Sequence, residues 1–431
     1  MSEPALSMTH DDEGYAESLR HNDELHHVPR ISVQVFCETP AVQATMQDAF
    51  ADRRMSKAHK TVQMGGLAAA VDVFGHSPTP NLIMVETTER SDSLVHMLDR
   101  LAEVCDAGTR VVVIGHVNDV LLYRDLVRRG VSEYVVAPTT PMHVIRVISE
   151  IFTAPDAEPL GRVVSFVGAR GGVGASTLAH NVSWSIANDL ETNVVIADMD
   201  LAFGTAGLDF NQDPIQGLAN AVFEGDRVDE QLMERLLFKC TDKLGIYAAP
   251  STLERDYDID ASAYEPVLEV MRKTVPCAVL DVPHCWNGWT QNTLWGSDEV
   301  VIVATPDLAS LRNCKNLVES LSARRKHDAP PRIVLNQVGV PKRPEIAASD
   351  FSDALGIEPS AVINFDPQLF GTAANNGQMI AEMSQNSKLA DAFLDLAKVV
   401  TGRGEAKKAK GSTIDNLLAK LTRKGGKGGA K

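Results

Sequence analysis

The chain has 431 residues, enough for two or three domains at roughly 100–200 residues each, so a single small module is excluded. Hydrophobic residues make up 44% and charged residues 23%, a globular composition that excludes a mostly disordered chain or a fibre. With a net charge of -16 the body repels phosphate backbones, so contact with nucleic acid or anionic lipid would need a local basic patch.

Residues 1–30 carry seven acidic residues, two arginines and four histidines with little periodicity, and are expected to form a disordered acidic tail. His21, His26 and His27 read there as solvated tail residues rather than metal ligands. The segment has no apolar core of the kind a signal peptide needs, and none is expected. From Ile31 short apolar runs alternate with helical-period segments. The runs are Ile31–Phe36, Lys60–Gln63, Asn81–Val85, Arg110–Ile114 and Glu133–Val136, with helices around 41–53, 91–107, 117–129 and 142–152. This pattern predicts a doubly wound parallel α/β domain over 31–153. The stretch Ala-Pro-Asp-Ala-Glu-Pro-Leu at 154–160 has two prolines and no periodicity, and reads as a linker.

A second set of runs begins at Arg162: 163–167, 193–197, 245–248, 278–280, 300–304, 333–335 and 362–365. It predicts a larger α/β domain with a mainly parallel sheet over 161–402. From 403 the composition shifts to Lys, Gly and Ala; residues 404–431 hold seven Lys and one Arg against one Glu and one Asp. Within that tail Ile414, Leu417, Leu418 and Leu421 recur at i, i+3, i+4 and i+7 beside Lys420, Arg423 and Lys424. A short basic amphipathic helix over 412–424 could lie on an anionic membrane or pack on a protein. No apolar stretch approaches the ~20 residues of a membrane-spanning helix. The six cysteines are scattered without a Cys-x-x-Cys pair and read as reduced core residues, which predicts a cytoplasmic location.

The strongest local signal is Val-Val-Ser-Phe-Val-Gly-Ala-Arg-Gly-Gly-Val-Gly-Ala-Ser-Thr-Leu-Ala at 163–179: a buried strand, a glycine-rich turn and a helix. Gly171, Gly172 and Gly174 let the backbone wrap an anion, with Val173 between them, and the helix adds its positive dipole end. Ser176 stands where a phosphate-binding loop places its Mg²⁺ hydroxyl, and Thr177 follows. The usual loop lysine is replaced by Ala175. A charged donor to the phosphates is worth about 1.5–3 kcal/mol, so affinity should weaken without vanishing. Turnover should suffer more, since positive charge at a transferring phosphoryl group can be worth ~10³–10⁵.

This arrangement resembles the deviant Walker A of the MinD/ParA family of P-loop ATPases, Lys-Gly-Gly-x-Gly-Lys-[Ser/Thr]-Thr. The resemblance places Arg170 at the signature lysine, which in that family reaches across a nucleotide-sandwich dimer. It implies that Asp200 of Asp198-Met-Asp200 positions the attacking water, and that Asp281 of Asp281-Val-Pro283 orients Mg²⁺ through water together with Ser176. It likewise implies that Asn336 reads the adenine edge, and that ATP and Mg²⁺ are the cofactors. The 31–153 domain resembles a response-regulator receiver with its chemistry removed. Glu86 occupies the phosphoacceptor position, Gly115 the Thr/Ser position, Ala137-Pro138 replaces Lys-Pro, and Glu38 is the available acid after the first strand. A docking or dimerisation platform is therefore expected there rather than acyl-phosphate chemistry.

A degenerate receiver joined to such an ATPase domain resembles the CpaE/TadZ family of type IVc (Tad/Flp) pilus assembly proteins. The points of likeness are 168–177, Asp-Met-Asp-Leu (198–201) and Thr-Pro-Asp-Leu-Ala-Ser-Leu-Arg-Asn (305–313). The resemblance implies an ATP-dependent homodimer with weak or absent hydrolysis. Such a dimer would recruit the pilus secretion ATPase and membrane platform, in the cytoplasm, at the inner membrane or at a cell pole. The alternative is a MinD/ParA-like positioning or DNA-segregation ATPase. Nucleic acid is disfavoured as a partner by the acidic body and by Ala175.

Overall fold

The computed structural model describes residues 27–89, 92–153, 160–212, 216–250, 253 and 256–404. The tail 1–30, apart from its last four residues, lies outside the described residues. So do nearly all of the 154–160 linker and all of 405–431, including the 412–424 helix. The chain forms two compact units. One runs to residue 159 with Arg324–Asp328, and the other holds 160–323 and 329 onward.

The first unit is built on β1 (Ser32–Cys37), β2 (His59–Met64), β3 (Leu82–Thr87), β4 (Arg110–Gly115) and β5 (Glu133–Val136). All pairings are parallel, in the order β2-β1-β3-β4-β5 of flavodoxin-like doubly wound folds. Alternate residues feed opposite faces: Val33 and Val35 enter one apolar cluster, Phe36 the other. Val28, ahead of the first strand, is fully buried in the same core, and its N–H donates to the Arg54 carbonyl. The helix Gly66–Phe74 between β2 and β3 goes beyond the four helices that periodicity places in this domain. Its Leu-Ala-Ala-Ala-Val run is too uniformly apolar to show a face, and packing decides it instead.

The second unit has β6 (Arg162–Gly168), β7 (Val194–Asp198), β8 (Phe238–Lys239), β9 (Leu244–Tyr247), β10 (Cys277–Val282), β11 (Glu299–Ala304), β12 (Arg332–Val338) and β13 (Ala361–Asn364). Their order is β13-β12-β11-β6-β10-β7-β9-β8, parallel throughout except the antiparallel β8–β9 edge pair. Two apolar clusters cover the two faces: Val163 and Val167 of β6 point into one, Val164 and Phe166 into the other. Both faces are buried, so these strands read as continuous apolar runs. β10 lies between β6 and β7, so the chain leaving β6 crosses over it. The carboxyl ends of the strands around such a crossover are where open α/β sheets place ligands. Among the described residues no helix is long and apolar enough to cross a membrane.

Candidate functional site

The site starts where β6 stops. The backbone turns through residues 169–174 into the helix Ala175–Asn188. Gly172 (φ 78°) and Gly174 (φ 86°) adopt the left-handed conformation that side chains resist. A Cβ on Gly174 would come within 2.6 Å of Asn336 Nδ2, whereas one on Gly171 or Gly172 would meet only open space. Side chains brace the loop from outside. His284 Nδ1 sits 2.9 Å from the Gly168 carbonyl, and Asn313 Nδ2 donates to the Ala169 carbonyl at 2.8 Å. Gln337 Nε2 donates to that of Gly172 at 3.0 Å and Asn336 Nδ2 to that of Val173 at 2.8 Å. With four loop carbonyls pinned to the protein, the turn has the polarity of an anion nest, and the helix adds N–H groups without intrahelical partners.

A cavity of about 840 Å³ opens over this loop. Arg170, Gly171, Gly172, Val173, Gly174, Ala175, Ser176, Thr177 and Asp200 all line it. Asp281 and Asn336 do not. Asp281 is buried, and Asn336 donates its Nδ2 to the Val173 carbonyl, while its neighbour Gln337 lines the cavity. Arg170 is held within its own chain. Its guanidinium donates to Asp307 at 3.0 Å and Thr305 at 3.1 Å through Nη2, and to Ser310 at 3.3 Å through Nε. Burial works against the Asp307 carboxylate, but Thr305, the Ser310 N–H and Arg170 together hold it below the usual range. Among the described residues no three His, Cys, Asp or Glu side chains converge as a metal cage. The donor set still fits Mg²⁺, which binds through one or two protein oxygens, waters and a nucleotide's phosphates.

Behind the loop lies a buried charged cluster that sequence reasoning missed. Asp198 ends β7 in register with Asp281 on β10, and both are buried. Asp198 caps the following segment, accepting from the Ala206 N–H at 3.0 Å and the Asp200 N–H at 3.3 Å. Burial first, then the charge of Asp281, pushes the Asp198 carboxyl up to about 7. His180, on the loop's own helix and fully buried, answers these carboxylates. Its Nδ1–H donates to Asp209 at 2.8 Å, and Nε2 lies 3.5 Å from Asp281, an ion-pair distance without a hydrogen bond. Burial opposes the imidazolium, but Asp209 and then Asp281 outweigh it and push the ring up to about 10. The strand-end Asp281 and the segment after Asp200 are thereby tied to one cation.

In the first unit Glu86 ends β3 and is fully buried. Its Oε2 accepts from the Glu38 N–H at 2.7 Å and the Thr39 N–H at 2.9 Å. Its Oε1 accepts from the Thr39 hydroxyl at 2.6 Å and lies 2.9 Å from His116 Nε2. Glu38 in turn accepts from the N–H and hydroxyl of Thr88, both at 2.8 Å. Burial disfavours the Glu86 charge, yet the Thr39 and Glu38 donors and His116 hold its carboxyl below the usual range.

Comparison with known proteins follows the same division. The family model described as "Cellulose biosynthesis protein BcsQ" matches residues 162–324. A crystal structure of the pilus assembly protein CpaE from Caulobacter crescentus CB15 is 50% identical in the N-terminal part. It covers 30% of this chain and 98% of that one, with a TM-score of 0.30. A ParA family ATPase from Chlorobium tepidum TLS is 24% identical over 55% of this chain and 98% of its own, with a TM-score of 0.50, which shows a shared fold. The septum site-determining protein MinD of Bacillus subtilis (strain 168) is 21% identical over 272 residues, 61% of this chain and 97% of that protein.

Proposed function

This chain belongs to the CpaE family of pilus assembly proteins, and we propose that it is an ATP-binding factor that dimerises on ATP to localise and assemble a type IVc (Tad/Flp) pilus secretion system. The dimer recruits the secretion ATPase and the membrane platform at the inner membrane or a cell pole, and hydrolysis is slow or absent. One observation carries this reading: a backbone cradle folded for phosphate opens into the cavity, and Ala175 lines it where a lysine would stand. Nucleotide can be held by such a cradle, but the transferring phosphoryl group lacks its usual cation.

The chain's residues take the following parts. The loop N–H groups of 171–175 and the first turn of the helix bind the phosphates. The Ser176 hydroxyl, with Asp281 acting through water, would hold Mg²⁺, which would neutralise phosphate charge. Asp200, which lines the cavity, orients the attacking water. Arg170 must leave Asp307 before it can reach a partner's phosphates. Phe203, Trp286 and Leu308 stand 72%, 48% and 74% exposed near the site, an apolar set suited to a second copy of the chain.

The test is size and turnover together. The purified full chain should bind an ATP analogue with Mg²⁺ and shift from monomer to dimer with ATP but not ADP, with little phosphate release. In cells a tagged chain should co-purify with the pilus secretion ATPase. Absence of nucleotide binding, or a diffuse location without pilus partners, would overturn the reading.

A further inference from the structure

The cavity that lacks a loop lysine has a second basic group at its edge. Among the described residues lining it, only Arg170 and His284 carry basic side chains. Arg170 is committed to Asp307, Thr305 and Ser310, so its charge is already paired within the chain. His284 is placed differently. It follows Asp281-Val-Pro283 off β10, the strand beside β6, and its Nδ1 lies 2.9 Å from the carbonyl of Gly168, where the glycine turn begins. A carbonyl can only accept, so Nδ1 carries the hydrogen and the ring is fixed against the loop. That leaves Nε2, for which no hydrogen bond to a described residue is found, as the remaining polar atom of a ring that lines the cavity.

Resting on the nucleotide reading, we propose that His284 is the phosphate-binding residue that stands in for the missing lysine. When the terminal phosphate of a nucleoside triphosphate binds, Nε2 takes up a proton from solvent, and the resulting Nε2–H donates to the phosphate oxygens. The Gly168 bond serves to aim it. An imidazolium differs from a loop lysine in reach and rigidity: it is short, and held by the same turn that binds the phosphates. It can contribute a charge-assisted hydrogen bond without the long flexible stem. A charged hydrogen bond of this kind is worth about tenfold or more in affinity.

Two substitutions separate aiming from binding. His284→Asn keeps a donor at the place of Nδ1, so it can still hold Gly168, but has nothing at the place of Nε2. His284→Gln reaches to the Nε2 position with a neutral donor. The full chain is titrated with Mg²⁺ and a fluorescent ATP analogue, and with the matching AMP analogue, after thermal melting has confirmed that each variant is folded. We expect His284→Asn to bind the ATP analogue about tenfold or more weakly, with AMP affinity unchanged. His284→Gln should fall between it and the parent, and adding Ala175→Lys to His284→Asn should restore tight binding. If His284→Asn binds ATP as the parent does, or loses ATP and AMP equally, the assignment is wrong while the nucleotide reading stands. If the parent protein binds neither, the nucleotide reading itself fails and the assignment with it.

Discussion

His180→Phe tests the buried cluster most directly, because phenylalanine fills nearly the same volume and removes both ring nitrogens. In the parent, the ring lies between Asp209 at 2.8 Å and Asp281 at 3.5 Å, with Asp198 next to Asp281 across the β7–β10 pair. The variant leaves these carboxylates without their cation in a site where Asp198 and His180 are fully buried. Stripping one partner from a buried ion pair costs ~3–5 kcal/mol, and displacing an imidazole from 6.5 to about 10 corresponds to the same order. For a unit of this size that is a melting temperature lower by roughly 6–20 °C. The sign with pH follows from the direction of the shift. A raised imidazole gives stability that is fully present below about 6.5 and lost as pH rises through about 10. Asp198 works in the same direction lower down: its folded carboxyl keeps a proton that the unfolded chain releases, so stability falls as pH climbs from about 4 to about 7. Thermal unfolding of parent and variant at a series of pH values reads both effects. The gap should be wide at pH 6 to 7 and should close by about pH 10. A gap below about 1 kcal/mol at neutral pH, or one that does not change with pH, would refute the cluster's role.

Three further outcomes are expected. Glu86→Ala leaves the Glu38 and Thr39 N–H groups without their acceptor and should destabilise the first unit by about 2–5 kcal/mol in urea titrations, whereas Glu86→Gln should cost about 1 kcal/mol. The Glu86 contribution is present above the ordinary carboxylate pKa of 4.5 and should vanish as pH falls through its lowered value. Ala175→Lys should tighten ATP about tenfold and raise phosphate release by ~10³ if the missing lysine is what holds turnover down; unchanged release would place the block elsewhere. Gly174→Ala forces a side chain into a φ of 86° and against Asn336 Nδ2, which should cost about 1–3 kcal/mol in melting and abolish binding of the ATP analogue.

Much of the fold could be read from runs such as Val163–Val167, because a strand buried on both faces leaves an uninterrupted apolar signature. The helix Gly66–Phe74 and the two-residue strand Phe238–Lys239 could not. One is apolar at every position but Asp72, and the other exists only as an edge paired to β9. The glycine turn was legible because its chemistry lies in one contiguous stretch. His180 was not. It is one of seven polar residues among the fourteen of its helix, and it acquires meaning only from Asp209, 29 positions away, and Asp281 on β10. Asn336 could be placed only by the family likeness, which implies a contact with the adenine edge; what the fold adds is that its Nδ2 donates to the Val173 carbonyl at 2.8 Å and so fixes the amide against the turn.

Both sheets bring a charge-handling site to the carboxyl ends of their strands, and the two sites have opposite outcomes. In the first unit the donors that could have met an incoming phosphate, the Glu38 and Thr39 N–H groups, the Thr39 hydroxyl and His116, already converge on Glu86. A phosphoryl group arriving there would have to displace a carboxylate that is itself held in the charged form by these bonds. In the second unit it is the loop carbonyls that side chains have taken, and open space lies over Gly171 and Gly172. The anion site of the first unit is therefore filled from within, and that of the second is left for a ligand. If nucleotide binds as proposed, ligand-dependent change is expected to originate at the glycine turn, with the first unit as a fixed surface. Nucleotide should accordingly slow hydrogen exchange around residues 168–177 and 198–209 and leave that of 38–39 and 86–88 unaltered; protection spreading to Glu86 and its partners would contradict this division.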